Sequence, residues 1–138
     1  SMYTEKRGVI TTRPVIFNGK YLFVNCNCQN GELKAELLDD RNSVIAHFSS
    51  DDCLPVIADS TCQMVRWSGS QDLSKLSGKE VRFRFHITNG HLYSFWVSPS
   101  QSGASHGYVA GGGPGFNGAQ DDAGDSQYRE ARSYRLKI

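Results

Sequence analysis

The sequence lacks the features that mark membrane and nucleic-acid proteins. No apolar run approaches the roughly 20 residues that a membrane-spanning helix requires. The net charge is only +1, from 15 basic and 14 acidic residues. This balance disfavours a polyanion as partner, because nucleic-acid-binding domains usually carry a basic surplus. We therefore expect neither a membrane nor a nucleic acid among the partners of this chain.

The motifs of the common enzyme classes are also missing. The sequence contains no G-x-S-x-G elbow, no H-E-x-x-H zinc motif and no P-loop. The glycine-rich run at residues 110–115 lacks the Lys-Ser/Thr pair that a phosphate-binding loop needs. Ser105-His106 has no acidic partner at a readable spacing. We expect no catalytic residues and no enzyme activity.

The four cysteines, Cys26, Cys28, Cys53 and Cys62, follow no trustworthy zinc pattern. In a strand, Cys26 and Cys28 point to the same face and cannot easily bridge each other. We expect three or four buried or half-buried free thiols, with a disulfide between Cys53 and Cys62 as the alternative. The sequence leaves this choice open, and with it the redox compartment.

Asp51, Asp52 and Asp59 form the best acidic cluster. Calcium takes six to eight oxygen ligands, and carboxylates are common among them. Turn formation and side-chain-to-backbone hydrogen bonds at a strand start account for the same residues. We expect no cofactor, with calcium at this cluster as the alternative.

What the sequence does contain is Asn-Gly, at residues 18–19, 30–31 and 89–90, each time between apolar or alternating segments. Asn-Gly favours the positive φ angles of a type I′ turn, so each pair predicts a β-hairpin. In the second hairpin the predicted partners share one apolar face: Cys28 with Leu33, Cys26 with Ala35 and Val24 with Leu37.

The third predicted hairpin, residues 81–98, has two contrasting faces. The core face is Val81, Phe83, Phe85, Ile87, Leu92 and Trp96, with Ser94 and Ser98 in narrow places. The other face is Arg82, Arg84, His86, Thr88, His91, Tyr93, Phe95 and Val97.

On the second face, Arg84, His86, Tyr93 and Phe95 form a compact two-by-two patch across the predicted hairpin. Aromatic rings stack on the apolar faces of sugars while nearby polar groups bind the hydroxyls, so these four are the candidate ligand-binding residues. Burial under the glycine-rich tail or a second sheet, and docking of a neighbouring domain, are the alternatives.

Few helical periods occur, and turns recur about every ten residues, which predicts an all-β fold. We expect an antiparallel β-sandwich, jelly-roll or lectin-like, with a glycine-rich C-terminal segment. Further strands are predicted at residues 43–48 and 61–67, a helical turn within 70–79, and a closing strand within 131–138. The predicted division is a tag and lead-in at 1–8, a sandwich core at 9–98 and a Gly/Ser/Asp-rich segment at 99–138.

Several short segments together resemble a known family. They are VITTRP at 9–14, YLFVN at 21–25, GELKAELLD at 31–39, CLPV at 53–56, DS at 59–60, VRW at 65–67, LSGK at 76–79, VRFRF at 81–85, LYSFWV at 92–97, GYVA at 107–110 and GPGF at 113–116. The chain resembles a β-sandwich domain at the C-terminal end of bacterial glycoside-hydrolase-like proteins, after a propeller related to the sialidase and fructosidase/arabinanase groups. The likeness covers residues 4–116.

The resemblance implies a non-catalytic accessory domain, because the catalytic carboxylates of such proteins lie in the propeller. It further implies a secreted or periplasmic protein whose partners are a poly- or oligosaccharide and the catalytic domain of the same polypeptide. A structural domain that packs on the propeller without binding glycan is the alternative. The resemblance supplies no binding residues, so the four candidates rest on the hairpin alone.

Overall fold

The computed structural model describes residues 6–69 and 72–104, and the backbone of residues 134–135. The described elements are β1 (Arg7–Thr11), β2 (Val15–Ile16), β3 (Tyr21–Asn27), β4 (Glu32–Leu38), β5 (Asp59–Val65), a 3-10 turn (Ser74–Leu76), β6 (Glu80–Thr88), β7 (His91–Ser98) and β8 (Tyr134–Arg135). The predicted all-β class is confirmed. The first strand begins at Arg7, within the predicted lead-in.

The strands form two antiparallel sheets of four strands each, packed as a β-sandwich. In the first sheet, β6 pairs with β1, β2 and β4. In the second sheet the strand order is β5-β3-β7-β8. The jelly-roll or lectin-like subclass stays a prediction.

The core is centred on phenylalanines from both sheets. Along β6 the side chains alternate, and the four inward ones are buried: Val81, Phe83, Phe85 and Ile87. Phe95 of β7 packs on Phe83 and Phe85, with ring centroids 5.3 and 5.1 Å apart. This trio joins the two sheets, since β6 and β7 belong to different ones. Tilted aromatic pairs of this kind contribute about 0.5–1.5 kcal/mol beyond burial.

None of the three Asn-Gly pairs closes a hairpin, so those predictions are wrong. Asn18-Gly19 leads from β2 to β3, Asn30-Gly31 from β3 to β4, and Asn89-Gly90 from β6 to β7. Each connection passes from one sheet to the other. The apolar face predicted for β3 and β4 is nevertheless buried, because strands that face each other across a core bury the same alternate residues as strands paired edge to edge.

Two of these connections pack against each other, which explains their glycines. A Cβ at Gly31 would overlap the carbonyl oxygen of Thr88, and one at Gly90 would lie 2.7 Å from Sγ of Cys28. Asn89 has a φ of 49°, a left-handed conformation that asparagine tolerates better than most residues. The glycines of these two Asn-Gly pairs thus allow the β3–β4 and β6–β7 connections to approach each other closely.

A β-bulge interrupts β7 at Tyr93. On β3, the neighbours Asn25 and Cys26 pair with Ser94 and Leu92, so Tyr93 is an extra residue without a register partner on β3. A bulge adds one residue to one strand and thereby shifts the phase of its alternation. Before the bulge the even-numbered Leu92 faces the core, and after it the odd-numbered Phe95 and Val97 do.

The phase shift overturns part of the predicted core. Phe95 and Val97 are buried, although the hairpin placed them on the outer face. Trp96, predicted in the core, is only half-buried, and its ring stacks on Phe23 at a centroid distance of 5.8 Å. Phe23 and Trp96 are register partners on the outer side of the second sheet.

The connections after β4 close one side of the sandwich. The backbone N–H of Leu37 donates to Phe48 at 3.0 Å, and Leu33 exchanges two backbone hydrogen bonds with Val56. The strand predicted at 43–48 is wrong: Val44 forms only an isolated bridge within a turn. The helical turn predicted within 70–79 is present at Ser74–Leu76.

Residues 99–104, here called the strap, cross the outer side of the second sheet. The indole N–H of Trp96 donates to the carbonyl of Gly103 at 2.9 Å, and the Ser98 hydroxyl donates to Ala104 at 2.5 Å. A Cβ at Gly103 would lie 3.0 Å from Phe23 and closer still to Cys62. The strap thus covers the Phe23–Trp96 pair.

The C-terminal predictions are only partly within the described residues. Strand β8 pairs with β7 through Ser94 and Phe95, which agrees with a closing strand within 131–138. The remainder of the glycine-rich segment lies outside the described residues. In the part of the chain that the structure describes, no helix is long and apolar enough to cross a membrane.

Candidate functional site

The structure separates the four predicted site residues, so the two-by-two patch is wrong. Arg84 and His86 lie on β6 in the first sheet, while Tyr93 and Phe95 lie on β7 in the second. His86 has Val9 as its register partner on β1, and not Tyr93.

Phe95 cannot contact a ligand from outside, which corrects its assignment. Its exposed fraction is 0%, and it packs on the phenylalanines of β6. The bulge at Tyr93 is the cause, because it turns residue 95 inward. Its aromatic ring serves the core.

Arg84 and His86 instead surround a buried carboxylate. Oε2 of Glu36 accepts hydrogen bonds from Nε of Arg84 at 2.5 Å and from Nε2 of His86 at 2.8 Å. Its Oε1 accepts the backbone N–H of Ser50 at 3.3 Å. Since Glu36 is only 4% exposed, its charge depends on these partners rather than on water. We call Glu36, Arg84, His86 and Ser50 the Glu36 cluster.

Opposing effects set the pKa of Glu36. Burial raises the pKa of this carboxyl group, but the hydrogen bonds from His86, Arg84 and Ser50 lower it by more, so the pKa lies below its usual value. The carboxylate is therefore ionised at neutral pH, and it ties β4, β6 and the turn at Ser50 together. Arg84 and His86 are already engaged, which makes this face a poor ligand platform.

The outer side of the second sheet carries a different group of residues, which we call the Tyr93 surface. It consists of Asn25, Asn27, His91, Tyr93 and Ser94. Tyr93 is 45% exposed, and its ring lies nearly parallel to that of His91 with centroids 6.1 Å apart. Register pairs bring Asn25 beside Ser94 and Asn27 beside His91. Both asparagines are half-buried.

The bulge gives the Tyr93 surface its arrangement. Bulges re-aim side chains and occur frequently beside binding sites. Here the extra residue is the tyrosine itself, next to an exposed histidine and within one strand of two amides. A flat ring flanked by amide donors and acceptors can stack on the C–H face of a sugar and bind its hydroxyls.

The sequence analysis did not identify Asn25 or Asn27 as site residues. The bulge did leave a signal. Leu92, Phe95 and Val97 are apolar at spacings of three and two, which breaks strict alternation along β7. Phe95 and Val97, an apolar pair on the face predicted to point outward, indicated this phase shift.

The cysteines form no bridge. All four are free; Cys26, Cys28 and Cys53 are buried, and Cys62 is exposed. Burial raises the pKa of the Cys53 thiol, and Sγ of Cys53 lies 3.3 Å from the backbone N–H of Ala35, which donates to it. The three buried thiols act as core side chains, in agreement with the expectation of buried free thiols.

The acidic cluster considered for calcium is not assembled into a site. Asp52 accepts the hydroxyl of Ser49 at 3.0 Å within a turn, and Asp59 begins β5. Across residues 6–69 and 72–104, no group of three or more His, Cys, Asp or Glu side chains is placed to hold a metal ion.

The chain matches no family model, no curated protein and no solved structure.

Proposed function

We propose that this chain is a non-catalytic, carbohydrate-binding-module-like domain of a polysaccharide-degrading glycoside hydrolase, and that it binds saccharide through the Tyr93 surface. The observation that carries the proposal is the exposed Tyr93 ring on a bulge of a β-sandwich, stacked beside His91 and flanked by Asn25 and Asn27. Such a combination of one aromatic platform with amides suits a neutral sugar.

The resemblance of the sequence segments to accessory domains of glycoside hydrolases supports the same proposal. It adds a catalytic domain of the same polypeptide as partner and a secreted or periplasmic location. The near-neutral charge is in keeping with a saccharide rather than a nucleic acid.

Binding of the purified chain to polysaccharides in affinity gels and on a glycan array tests the proposal. We expect Tyr93→Ala to weaken binding at least about tenfold, since an aromatic anchor contributes on the order of 2 kcal/mol. Ile57→Ala is a matched control, because Ile57 is an apolar side chain that is 62% exposed and lies outside the Tyr93 surface. Absence of binding to every saccharide at millimolar concentration would remove the proposal.

A second candidate function is a structural domain that packs on a catalytic propeller without binding glycan. Leu54 and Ile57 favour it, because they lie three residues apart on one segment and are 49% and 62% exposed. Exposed apolar side chains that lie close together frequently mark contacts with another domain. This candidate predicts that Leu54→Ser and Ile57→Ser loosen the attachment to the propeller domain, as read by limited proteolysis of the two-domain protein.

A further inference from the structure

A cavity of about 380 Å³ lies at the end of the second sheet opposite the Tyr93 surface. Strands β3 and β7 are antiparallel, with Asn27 beside His91 at one end and Tyr21 beside Ser98 at the other. The Tyr93 surface occupies the first end, and Tyr21 lines the cavity at the second. The volume is within the range of small-molecule sites, about 300–1,000 Å³.

The floor of the cavity is apolar and firmly packed. Leu22, Val65, Trp67 and Leu73 line it and are all buried. The indole N–H of Trp67 donates to the carbonyl of Ala35 at 3.0 Å, so its polar atom is already satisfied inside the protein. The floor therefore offers contact area but no hydrogen-bonding group from this tryptophan.

The walls of the cavity combine exposed apolar groups with a ring. Leu54 lines it although it is 49% exposed, and Met64 stands on the neighbouring strand. The half-buried ring of Tyr21 accepts a hydrogen bond at its hydroxyl from Gln101 of the strap, at 3.4 Å. A ligand with one apolar face would cover Leu54 and lie against Tyr21.

The rim carries two cations and one engaged carboxylate. Lys20 and Arg66 are exposed, and neither lies within 4.0 Å of a carboxylate of the described residues. Asp72 accepts both the backbone N–H and the hydroxyl of Ser74, at 2.9 and 2.5 Å, at the start of the 3-10 turn. These hydrogen bonds lower its pKa, and the nearby charges of Lys20 and Lys75 lower it further. Arg66 places Nε 3.3 Å from Sδ of Met64, which leaves its other guanidinium donors available.

From this arrangement we propose that the cavity is a second saccharide site, which takes an acidic sugar residue such as a hexuronate. The C–H face of the sugar lies on Tyr21 and Leu54, and its carboxylate is bound by Arg66 and Lys20. Charge-assisted hydrogen bonds of this kind are stronger than neutral ones and favour the carboxylate over an uncharged sugar. The inference rests on the proposed saccharide-binding function, and it names a class of sugar that the Tyr93 surface does not select.

Titration of the ¹⁵N-labelled chain with sodium galacturonate, and in parallel with galactose, tests this site. We expect galacturonate to shift the amide signals of Tyr21 and Arg66 and the indole signal of Trp67, and to bind at least about tenfold more tightly than galactose. Affinity should fall as sodium chloride is raised, because salt screens the exposed cations.

Two variants localise the site. Arg66→Gln and Lys20→Gln should each weaken galacturonate binding, by about tenfold for Arg66 because its hydrogen bonds to a carboxylate are charge-assisted. Both side chains are exposed, so the thermal transition should remain unchanged. Thr61→Ala, a change of an exposed residue on β5 that does not line the cavity, serves as control.

The outcomes separate this inference from the proposed function. Galacturonate shifts that persist in Tyr93→Ala and disappear in Arg66→Gln support the second site, whatever polysaccharide the Tyr93 surface binds. Equal binding of galactose and galacturonate, or shifts that neither cation variant reduces, would overturn it. In either of these cases Tyr93-dependent polysaccharide binding would still stand on its own measurement.

Discussion

The outer faces of the two sheets differ in how their polar groups are used. On the first sheet, the Glu36 cluster joins a buried carboxylate to Arg84 and His86, and these groups are engaged with one another. On the second sheet, the Tyr93 surface offers an exposed ring and half-buried amides. A face rich in cations and histidine can thus be closed to ligands by its own hydrogen bonds.

The comparison also shows that charge is a weak guide to a binding face in this molecule. Arg84 and His86 are about one-third exposed, yet the carboxylate beside them is only 6% exposed at its side chain. Removing Arg84 from the Glu36 cluster leaves a buried carboxylate short of a charged donor, whereas truncating Tyr93 removes exposed contact area alone. The two faces are therefore expected to respond to mutation in different ways.

The largest effect is expected at Phe95, which belongs to the core between the two faces. Phe95→Ala should lower the free energy of unfolding by about 3–5 kcal/mol, the cost of a large cavity in a packed core. Urea denaturation measures this loss. Phe95→Leu is the matched control and should lose much less. A loss below about 1 kcal/mol in Phe95→Ala would place the ring on the surface, as the hairpin interpretation had it.

A smaller loss is expected when the Glu36 cluster is broken. Arg84→Ala should cost about 1–3 kcal/mol, because it leaves a buried carboxylate short of a charged donor. Arg82→Ala is the control: Arg82 is the preceding outward residue of β6, its guanidinium donates to the backbone carbonyl of Thr12 at 3.4 Å, and it forms no ion pair within the described residues. If both variants lose the same stability by urea denaturation, the special role of Arg84 is refuted.

The pH dependence of stability provides a third measurement on the same face. Because the folded pKa of Glu36 lies below the usual value of 4.5, its contribution is present above that pH and is lost as the pH falls through the folded pKa. Glu36→Gln should therefore be less stable than the wild type at pH 7, and the difference should shrink below about pH 4.5.

Asp39 and Asp72 also have lowered pKa values, so the wild type alone would not isolate Glu36. Both groups are present in Glu36→Gln, and their contributions cancel in the difference between the two proteins. A difference that stays constant from pH 7 to pH 3 would show that the Glu36 carboxylate is not held by its partners.

The smallest effect on stability is expected at the Tyr93 surface. Tyr93→Ala should change the free energy of unfolding by no more than about 0.5 kcal/mol, as is usual for exposed side chains. Tyr93→Phe keeps the ring and should retain most of the saccharide affinity that Tyr93→Ala loses. Loss of more than 2 kcal/mol on truncation would show that Tyr93 is a structural residue, and the two faces would no longer differ in kind.

Much of the core was predictable because alternation is a property of each strand by itself. Val81, Phe83, Phe85 and Ile87 were assigned inward from period two alone, and all four are buried. The helical turn before β6 was predictable for a similar reason, since Leu73 and Leu76 lie three residues apart and Gly78 follows them. In the structure both leucines are buried, and Gly78 has a φ of 81°. Such signals require only local geometry.

The partners of the strands were not predictable from the same signals. Asn-Gly predicts a tight reversal of the chain, but the chain can continue after it either in the neighbouring strand of the same sheet or in the opposite sheet. The deciding contacts are between Gly31 and Thr88 and between Gly90 and Cys28, residues distant in sequence. The placement of Phe95 and Trp96 depended in turn on a bulge that the register against β3 reveals.

The sequence by itself determined the all-β class and the inward residues of β3, β4 and β6, because burying alternate apolar side chains is required of any strand in a sandwich. Only the tertiary structure decided which strands pair and which polar face is open. Pairing depends on contacts between crossings, and the openness of a face depends on whether its donors and acceptors satisfy one another. Glu36 does so for Arg84 and His86, while the bulge leaves Tyr93 exposed.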